Sequence, residues 1–124
     1  MKFYQCSSFE RDFKIIKKKC PNNYKEAFKK ELESYLKARA LFGLKNFRAV
    51  LCSAGELYLL KVRMPDCHHK GKSGGYRVIC AFNPKKLVVL LVKIYRKSDC
   101  ENIPTKELCE VFIDCIKSKQ FKEF

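Results

Sequence analysis

The segment 87–95 constrains the fold most, because its nine residues are almost continuously apolar and rich in β-branched side chains. Such a run predicts a buried central strand. From residue 56 the side chains alternate with a period of two, and one face of this predicted strand carries Leu59, Lys61 and Arg63. Residues 76–82 predict a further strand, ahead of a turn at Asn83-Pro84.

Apolar residues at helical spacing occur in three other places. The segment 7–20 places Phe9, Phe13 and Ile16 on one helix face. Ser7 and Glu10 form a capping-box pattern, which predicts Ser7 as the N-cap residue. Pro21 ends this helix. A second stripe covers residues 24–36, and a third begins after residue 104. Two helices joined by a short turn predict an αα-hairpin.

These segments, with a short strand at residues 2–6, predict the order β-α-α-β-β-β-α. The fold class is therefore α+β, with a small antiparallel-rich sheet, an N-terminal αα-hairpin and a C-terminal helix, and with the helices packed against one face of the sheet. Residues 41–56 have no clear period beyond a strand fragment near residues 49–52. The length of 124 residues predicts one domain spanning 1–124.

The charge balance restricts the classes of partner. Lysine and arginine total 27 against 13 acidic residues, a formal net charge of +14. Self-repulsion on this scale favours a polyanionic partner, with nucleic acid first and an acidic protein second. No apolar run approaches the ~20 residues that cross a bilayer, so no membrane partner is expected. The polar N-terminus resembles no secretory signal, which predicts a cytoplasmic protein.

Eight cysteines raise the question of disulfides. They contain no CxxC spacing, and several lie on apolar helix or strand faces, where a thiol packs as a small hydrophobe. A cytoplasmic chain is kept reduced, so free thiols are expected. The run Cys67-His68-His69 has no second ligand pair at zinc-like spacing, and no metal site is predicted.

Basic side chains concentrate on one predicted sheet face. The period of two brings together Lys61, Arg63, Arg77, Lys93, Tyr95 and Lys97 if these strands pair as hairpins. A basic groove that contains an aromatic residue suits a phosphate backbone with a base stacked nearby. The alternative is that long lysines only solvate an open sheet face.

Residues 70–77, Lys-Gly-Lys-Ser-Gly-Gly-Tyr-Arg, form the most distinctive loop. Its glycines let backbone N–H groups approach an anion, although the spacing is not that of a phosphate-binding Walker loop. Residues 71–79, GKSGGYRVI, resemble the GKxGGYRVI signature of the RelE/ParE toxin superfamily, particularly its RelE- and HigB-like members. Residues 61–63, 90–98 and 102–108 are similar to other stretches of that family.

The resemblance implies the toxin of a type II toxin–antitoxin system, with a RelE-like fold. Such toxins are ribosome-dependent mRNA endonucleases that cleave A-site mRNA by transesterification through the ribose 2′-OH, with no metal and no cofactor. The implied partners are the ribosome with its rRNA and mRNA, and a cognate acidic antitoxin. Two alternatives stay open: a ParE-like DNA gyrase inhibitor on the same fold, and a non-catalytic basic RNA-binding domain.

The resemblance also implies roles for individual residues. Lys61 is the candidate base, Arg63 a phosphate clamp, and Arg77 the arginine that stabilises the phosphate. Tyr95 is assigned to base stacking or proton transfer, and Lys97 to the acid or a phosphate ligand. The predicted RNA-binding set is Lys70, Lys72, Lys93, Arg96 and His68. For His68 and His69 an acid–base role and an exposed loop position without a role both stay open.

Overall fold

The computed structural model describes residues 1–44, 47–67, 75–98 and 102–124. In these residues, three helices and six strands follow the order β1 (Lys2–Cys6), α1 (Ser7–Lys17), α2 (Tyr24–Phe42), β2 (Val50–Ala54), β3 (Leu57–Met64), β4 (Tyr76–Asn83), β5 (Val88–Arg96), α3 (Thr105–Ser118) and β6 (Phe121–Glu123). The α+β class is confirmed. The predicted order is wrong by two strands, because β2 lies in the segment without a clear period and β6 has only three residues, too few to show alternation.

The six strands form one sheet in the order β2-β3-β4-β5-β1-β6. Strands β2 to β5 make an antiparallel meander, β1 pairs parallel with β5, and β6 pairs antiparallel with β1. All eight residues of β4 are buried, and β5 beside it is nearly as deep. The prediction of a buried central strand at residues 87–95 is confirmed.

Helices cover both faces of the sheet. On one face, α1 and α2 bury an aromatic and aliphatic core around Phe9, Phe28 and Leu32. On the other, Leu108 and Phe112 of α3 pack on a second core, whose sheet residues include Leu59, Ile79, Ala81 and Val92. The prediction that helices occupy one face only is wrong, because this second face is itself apolar over most of its length and needs cover.

The start of α1 departs from the predicted capping box. Cys6 is the N-cap residue, and Ser7 is already helical. The Ser7 hydroxyl donates instead to the Gln120 carbonyl at 3.5 Å, and Glu10 forms an ion pair with Lys122. Both side chains therefore connect α1 to the segment around β6, where tertiary contacts replace the local cap.

Three disulfides overturn the expectation of free thiols. Cys6 pairs with Cys115, Cys20 with Cys67, and Cys52 with Cys109. The partners are 109, 47 and 57 residues apart in sequence, so the absence of short cysteine spacings carried no information about them. Cys80 is free and fully buried, and burial raises the pKa of its thiol to about 12. Cys100 lies outside the described residues.

Candidate functional site

A cleft of about 940 Å³ opens on the sheet face that α3 covers, beside the segment leading into α3. The described residues that line it include five cations: Arg48, Lys61, Arg63, Arg77 and Lys97. They include no aspartate or glutamate. The cleft is thus a concentration of positive charge on a chain that is already strongly basic.

Strand register brings three of these cations together. Arg63 of β3 lies directly opposite Arg77 of β4, and Arg77 lies opposite Tyr95 of β5. Lys61 is two residues before Arg63 and therefore shares its face. Like charges directly opposite one another are unfavourable in a sheet. An anion bound between Arg63 and Arg77 would offset that repulsion.

Gly75 sets the close approach of the chain at this edge. A Cβ atom at residue 75 would lie 2.2 Å from the Met64 carbonyl oxygen and 3.1 Å from Pro65 Cα, so only glycine fits. The Gly75 carbonyl also accepts a hydrogen bond from the Lys97 N–H at 3.2 Å. These contacts bring the ends of β3, β4 and β5 together. Lys97 therefore lies beside the cations of β3 and β4.

Arg77 is the most buried of these cations, with 4% of its surface exposed, whereas Arg63 is exposed. Burial lowers the pKa of the Arg77 guanidinium from its ordinary value, and the nearby Arg63 lowers it further, while Tyr95 acts in the opposite direction. A desolvated guanidinium held on a strand is a strong, oriented donor toward a phosphate group.

Lys61 is held at both ends. Its backbone N–H donates to the Ala49 carbonyl at 3.0 Å, and its Nζ donates to Asn102 Oδ1 at 3.3 Å. Asn102 comes shortly before α3 and, like Ala49, lines the cleft. The disulfide between Cys52 and Cys109 joins β2, which follows Ala49, to α3, which follows Asn102. Lys61 therefore has a fixed position in the cleft.

Four of the five predicted catalytic residues, Lys61, Arg63, Arg77 and Lys97, line this one cleft. The fifth, Tyr95, lies beside Arg77, but only 8% of its surface is exposed and its ring belongs to the core under α3. The structure does not bring that ring to the cleft surface. Tyr76, the residue before Arg77, is 1% exposed and belongs to the core under α1 and α2.

Lys93 and Arg96 lie away from the cleft. A bulge in β5 interrupts the alternation, as seen in Val92 and Tyr95, which are three residues apart and share one core. Lys93 forms an ion pair with Asp12 of α1 at 3.2 Å, and the Arg96 guanidinium lies 5.6 Å from the Tyr76 ring centroid. Lys93 lies opposite Ile79, as Tyr95 lies opposite Arg77, but its ion pair takes its Nζ to α1, so the structure does not bring Lys93 to the cleft with the other predicted cations.

The remaining predicted RNA-binding residues, His68, Lys70 and Lys72, lie outside the described residues, as does His69. Sequence reasoning missed Arg48 and Asn102. Arg48 belongs to the segment 41–56, where no periodicity was available to assign a face. Asn102 lies in the segment 102–108 that the resemblance covers, but its contact with Lys61 spans 41 residues, which no local pattern reveals.

Within the described ranges, no cluster of three or more histidine, cysteine or acidic side chains is arranged to hold a metal ion. None of the helices described is long and apolar enough to cross a bilayer. The sequence matches no protein-family model and no curated protein. Any functional conclusion therefore rests on the cleft and on the motifs in the sequence.

Proposed function

We propose that the chain is a RelE-like toxin of a type II toxin–antitoxin system, an endoribonuclease that cleaves mRNA on the ribosome. The observation that carries this proposal is the convergence of Lys61, Arg63, Arg77 and Lys97 on one cleft. These residues lie far apart in sequence and correspond to the cationic set that the resemblance implies. The cleft also has the charge and volume to take an RNA backbone.

The proposed reaction is an in-line transesterification. The ribose 2′-oxygen forms a bond to the adjacent phosphorus, its proton passes to Lys61 as the base, and the bond from phosphorus to the 5′-oxygen breaks. Lys97 donates a proton to that leaving oxygen. The products are a 2′,3′-cyclic phosphate and a 5′-hydroxyl, and the charge that develops on the phosphate is stabilised by Arg63 and Arg77.

Burial suggests a division of labour between the two arginines and the tyrosine. Arg63 is exposed and can reach an incoming phosphate, whereas Arg77 is buried and already oriented by its strand. Tyr95 is opposite Arg77 and influences its electrostatics. We therefore propose that Tyr95 positions Arg77, in place of the stacking role that the resemblance implied.

The proposed antitoxin is an acidic chain that covers the cleft. Displacement of α3 is the less favoured mode of inhibition, because Leu108 and Phe112 of α3 are buried in the core beneath it, and β6 anchors its far end to β1. An acidic segment over Arg48, Arg63 and Lys97 needs no such rearrangement.

The experiment that tests the function is induced expression with 5′-end mapping of host transcripts. We expect growth arrest and new 5′ ends within translated regions. Arg63→Ala, which removes an exposed side chain, should reduce cleavage about a hundredfold without affecting folding. Lys30→Ala removes the same charge from the exposed face of α2 and should leave cleavage unchanged.

Other outcomes identify the alternatives. Growth arrest without new transcript ends, together with loss of supercoiling by purified gyrase, would support the gyrase inhibitor instead. RNA binding without growth arrest would support the alternative of a non-catalytic RNA-binding domain.

The cytoplasm is the proposed location, because the proposed substrate is presented there. The three disulfides are more typical of oxidising compartments. Mass spectrometry of protein alkylated at the moment of cell lysis measures the thiols directly. Fully paired cysteines in protein taken from cells would contradict a reducing cytoplasmic location.

A further inference from the structure

The end of α2 carries two large apolar side chains in water. Leu41 and Phe42 are 87% and 80% exposed, among the highest values for large apolar residues in the part of the chain described. Neither contributes to the two cores. Phe42 nevertheless has a defined neighbour, because the Arg39 guanidinium carbon lies 5.9 Å from the centroid of its ring.

Arg39 also stacks on a second ring. Its guanidinium carbon is 3.6 Å from the ring centroid of Phe47, which is van der Waals contact. Arg39 Nη2 donates to the Gly43 carbonyl at 3.4 Å. Two backbone hydrogen bonds hold Phe47, whose N–H donates to the Leu44 carbonyl and whose carbonyl accepts from Val50 N–H, both at 3.1 Å. Phe42, Arg39 and Phe47 thus form an ordered aromatic–cation–aromatic group, named here the stacking group.

The stacking group is continuous with the cleft. Phe47 is half-buried and is the one aromatic residue among the described cleft-lining side chains, and Arg48 beside it is exposed to the same space. Tyr95, the residue expected to stack on a base, is covered by the core under α3. The place for a nucleobase in this cleft is therefore at Phe47, on the wall formed by the segment before β2.

We propose that the stacking group binds the bases of single-stranded RNA next to the scissile phosphate. Aromatic faces and arginine planes are the surfaces on which unpaired bases stack, and neighbouring cations take the phosphates between them. Phe47 takes the base nearest the cleft, Phe42 takes a base farther out, and Arg48 contacts the intervening phosphate. This inference rests on the proposed function, because it assumes that the cleft binds RNA.

The test compares two ligands by fluorescence anisotropy at low salt: a labelled short 2′-O-methyl oligoadenylate and an abasic oligomer of the same length and charge. The methyl group blocks cleavage, so binding alone is measured. We expect wild-type protein to bind the oligoadenylate about tenfold more tightly than the abasic oligomer. Phe42→Ala and Phe47→Leu should each remove most of that difference and leave abasic binding unchanged.

Two control variants separate the possible causes. Leu41→Ala removes a neighbouring, equally exposed apolar side chain and should change neither affinity. Arg63→Ala should weaken both ligands alike. Circular dichroism melting of Phe47→Leu checks that the leucine preserves the packing.

Equal wild-type affinity for the two ligands would overturn the base-stacking proposal and leave the phosphate-binding cleft intact. An equal loss of affinity for the two ligands in the phenylalanine variants would also overturn the base-stacking proposal. Absence of binding to either ligand would overturn this inference, whereas the proposed function is decided separately by the mapping of transcript ends.

Discussion

The two faces of the sheet differ in how far their apolar surface extends. The face under α1 and α2 holds an aromatic core, with Phe9, Phe13, Phe28 and Phe124 in mutual ring contact at centroid distances of 5.1–6.1 Å. The face under α3 is apolar where the helix covers it. Beyond that cover the same strand positions continue as cations, and the cleft opens beside the segment that leads into α3.

This difference shows how one small sheet combines stability and binding. Along β3 the α3-side residues change from Leu59 to Lys61, and along β4 from Ile79 to Arg77. The residues between them, such as Leu60 and Val78, stay apolar because α1 and α2 cover their face. Substitutions on the first face should therefore affect folding, and substitutions at the cleft should affect function.

The largest expected effect is on the aromatic face. Phe28→Ala should lower the free energy of unfolding by about 3–5 kcal/mol, because the ring is 1% exposed and its removal leaves a cavity among other rings. Urea unfolding followed by circular dichroism measures the change. Leu41→Ala, on an exposed residue of the same helix, should stay within about 0.5 kcal/mol. A loss below about 1 kcal/mol in Phe28→Ala would contradict the contrast between the faces.

The next effect concerns the attachment of α3. Replacement of both Cys52 and Cys109 by serine removes a crosslink that spans 57 residues and should cost about 2–4 kcal/mol in urea under oxidising conditions. RNA affinity should fall as well, because this disulfide joins β2, which carries the cleft residue Leu51, to α3, which follows the cleft residue Asn102. A dithiol reductant should lower the stability of wild-type protein more than that of the double variant. If the oxidised double variant has the same urea midpoint as the oxidised wild-type protein, the crosslink does not hold α3.

A smaller effect separates two glycines on the meander. Gly75→Ala should destabilise the protein by about 1–3 kcal/mol and also weaken RNA binding, because the new Cβ would push Arg77 away from β3. Gly55→Ala strains a turn with a φ of 62° but meets no neighbouring atom. It should reduce stability and leave RNA affinity unchanged. Equal effects of the two variants on RNA affinity would mean that the cleft does not depend on the close approach at Gly75.

The smallest effect is on the rate of the proposed reaction alone. Asn102→Ala removes the hydrogen-bond partner of Lys61 Nζ and should lower kcat for RNA cleavage about tenfold with KM unchanged. Asn102→Ser, which keeps an acceptor, should recover part of the loss. Asn22→Ala, the same change on an exposed turn, is the control. A rise in KM with kcat unchanged would place Asn102 in RNA binding and not in the positioning of Lys61.

Local periodicity was sufficient for much of this fold. The apolar run of β5, the alternation of β3 and the helix stripes all depend on which side chains face a core, and a period of 2 or 3.6 records that directly. Lys61, Arg63 and Arg77 were placed on one face by the same argument. Lys97, beyond the end of β5, reaches the cleft through its hydrogen bond to Gly75.

The features that sequence reasoning missed depend on contacts between distant residues. The ion pair of Lys93 with Asp12 joins residues 81 positions apart, and the disulfides join cysteines from different elements. The helix on the second face of the sheet could have been inferred from Leu59, Ile79 and Ala81. These apolar residues share the face that the prediction left without a helix. Arg39, Phe47 and Arg48 lie where the chain follows neither a helical nor a strand period.

The parallel pairing of β1 with β5 imposes an order on biosynthesis. Lys2 pairs with Val88, so the first strand made must wait for nearly the whole meander to be synthesised before it finds its place. Within the meander, β2, β3, β4 and β5 pair in sequence order, and such local contacts form fastest. Lys61, Arg63 and Arg77 can therefore come together on the nascent chain while β1 is still unpaired.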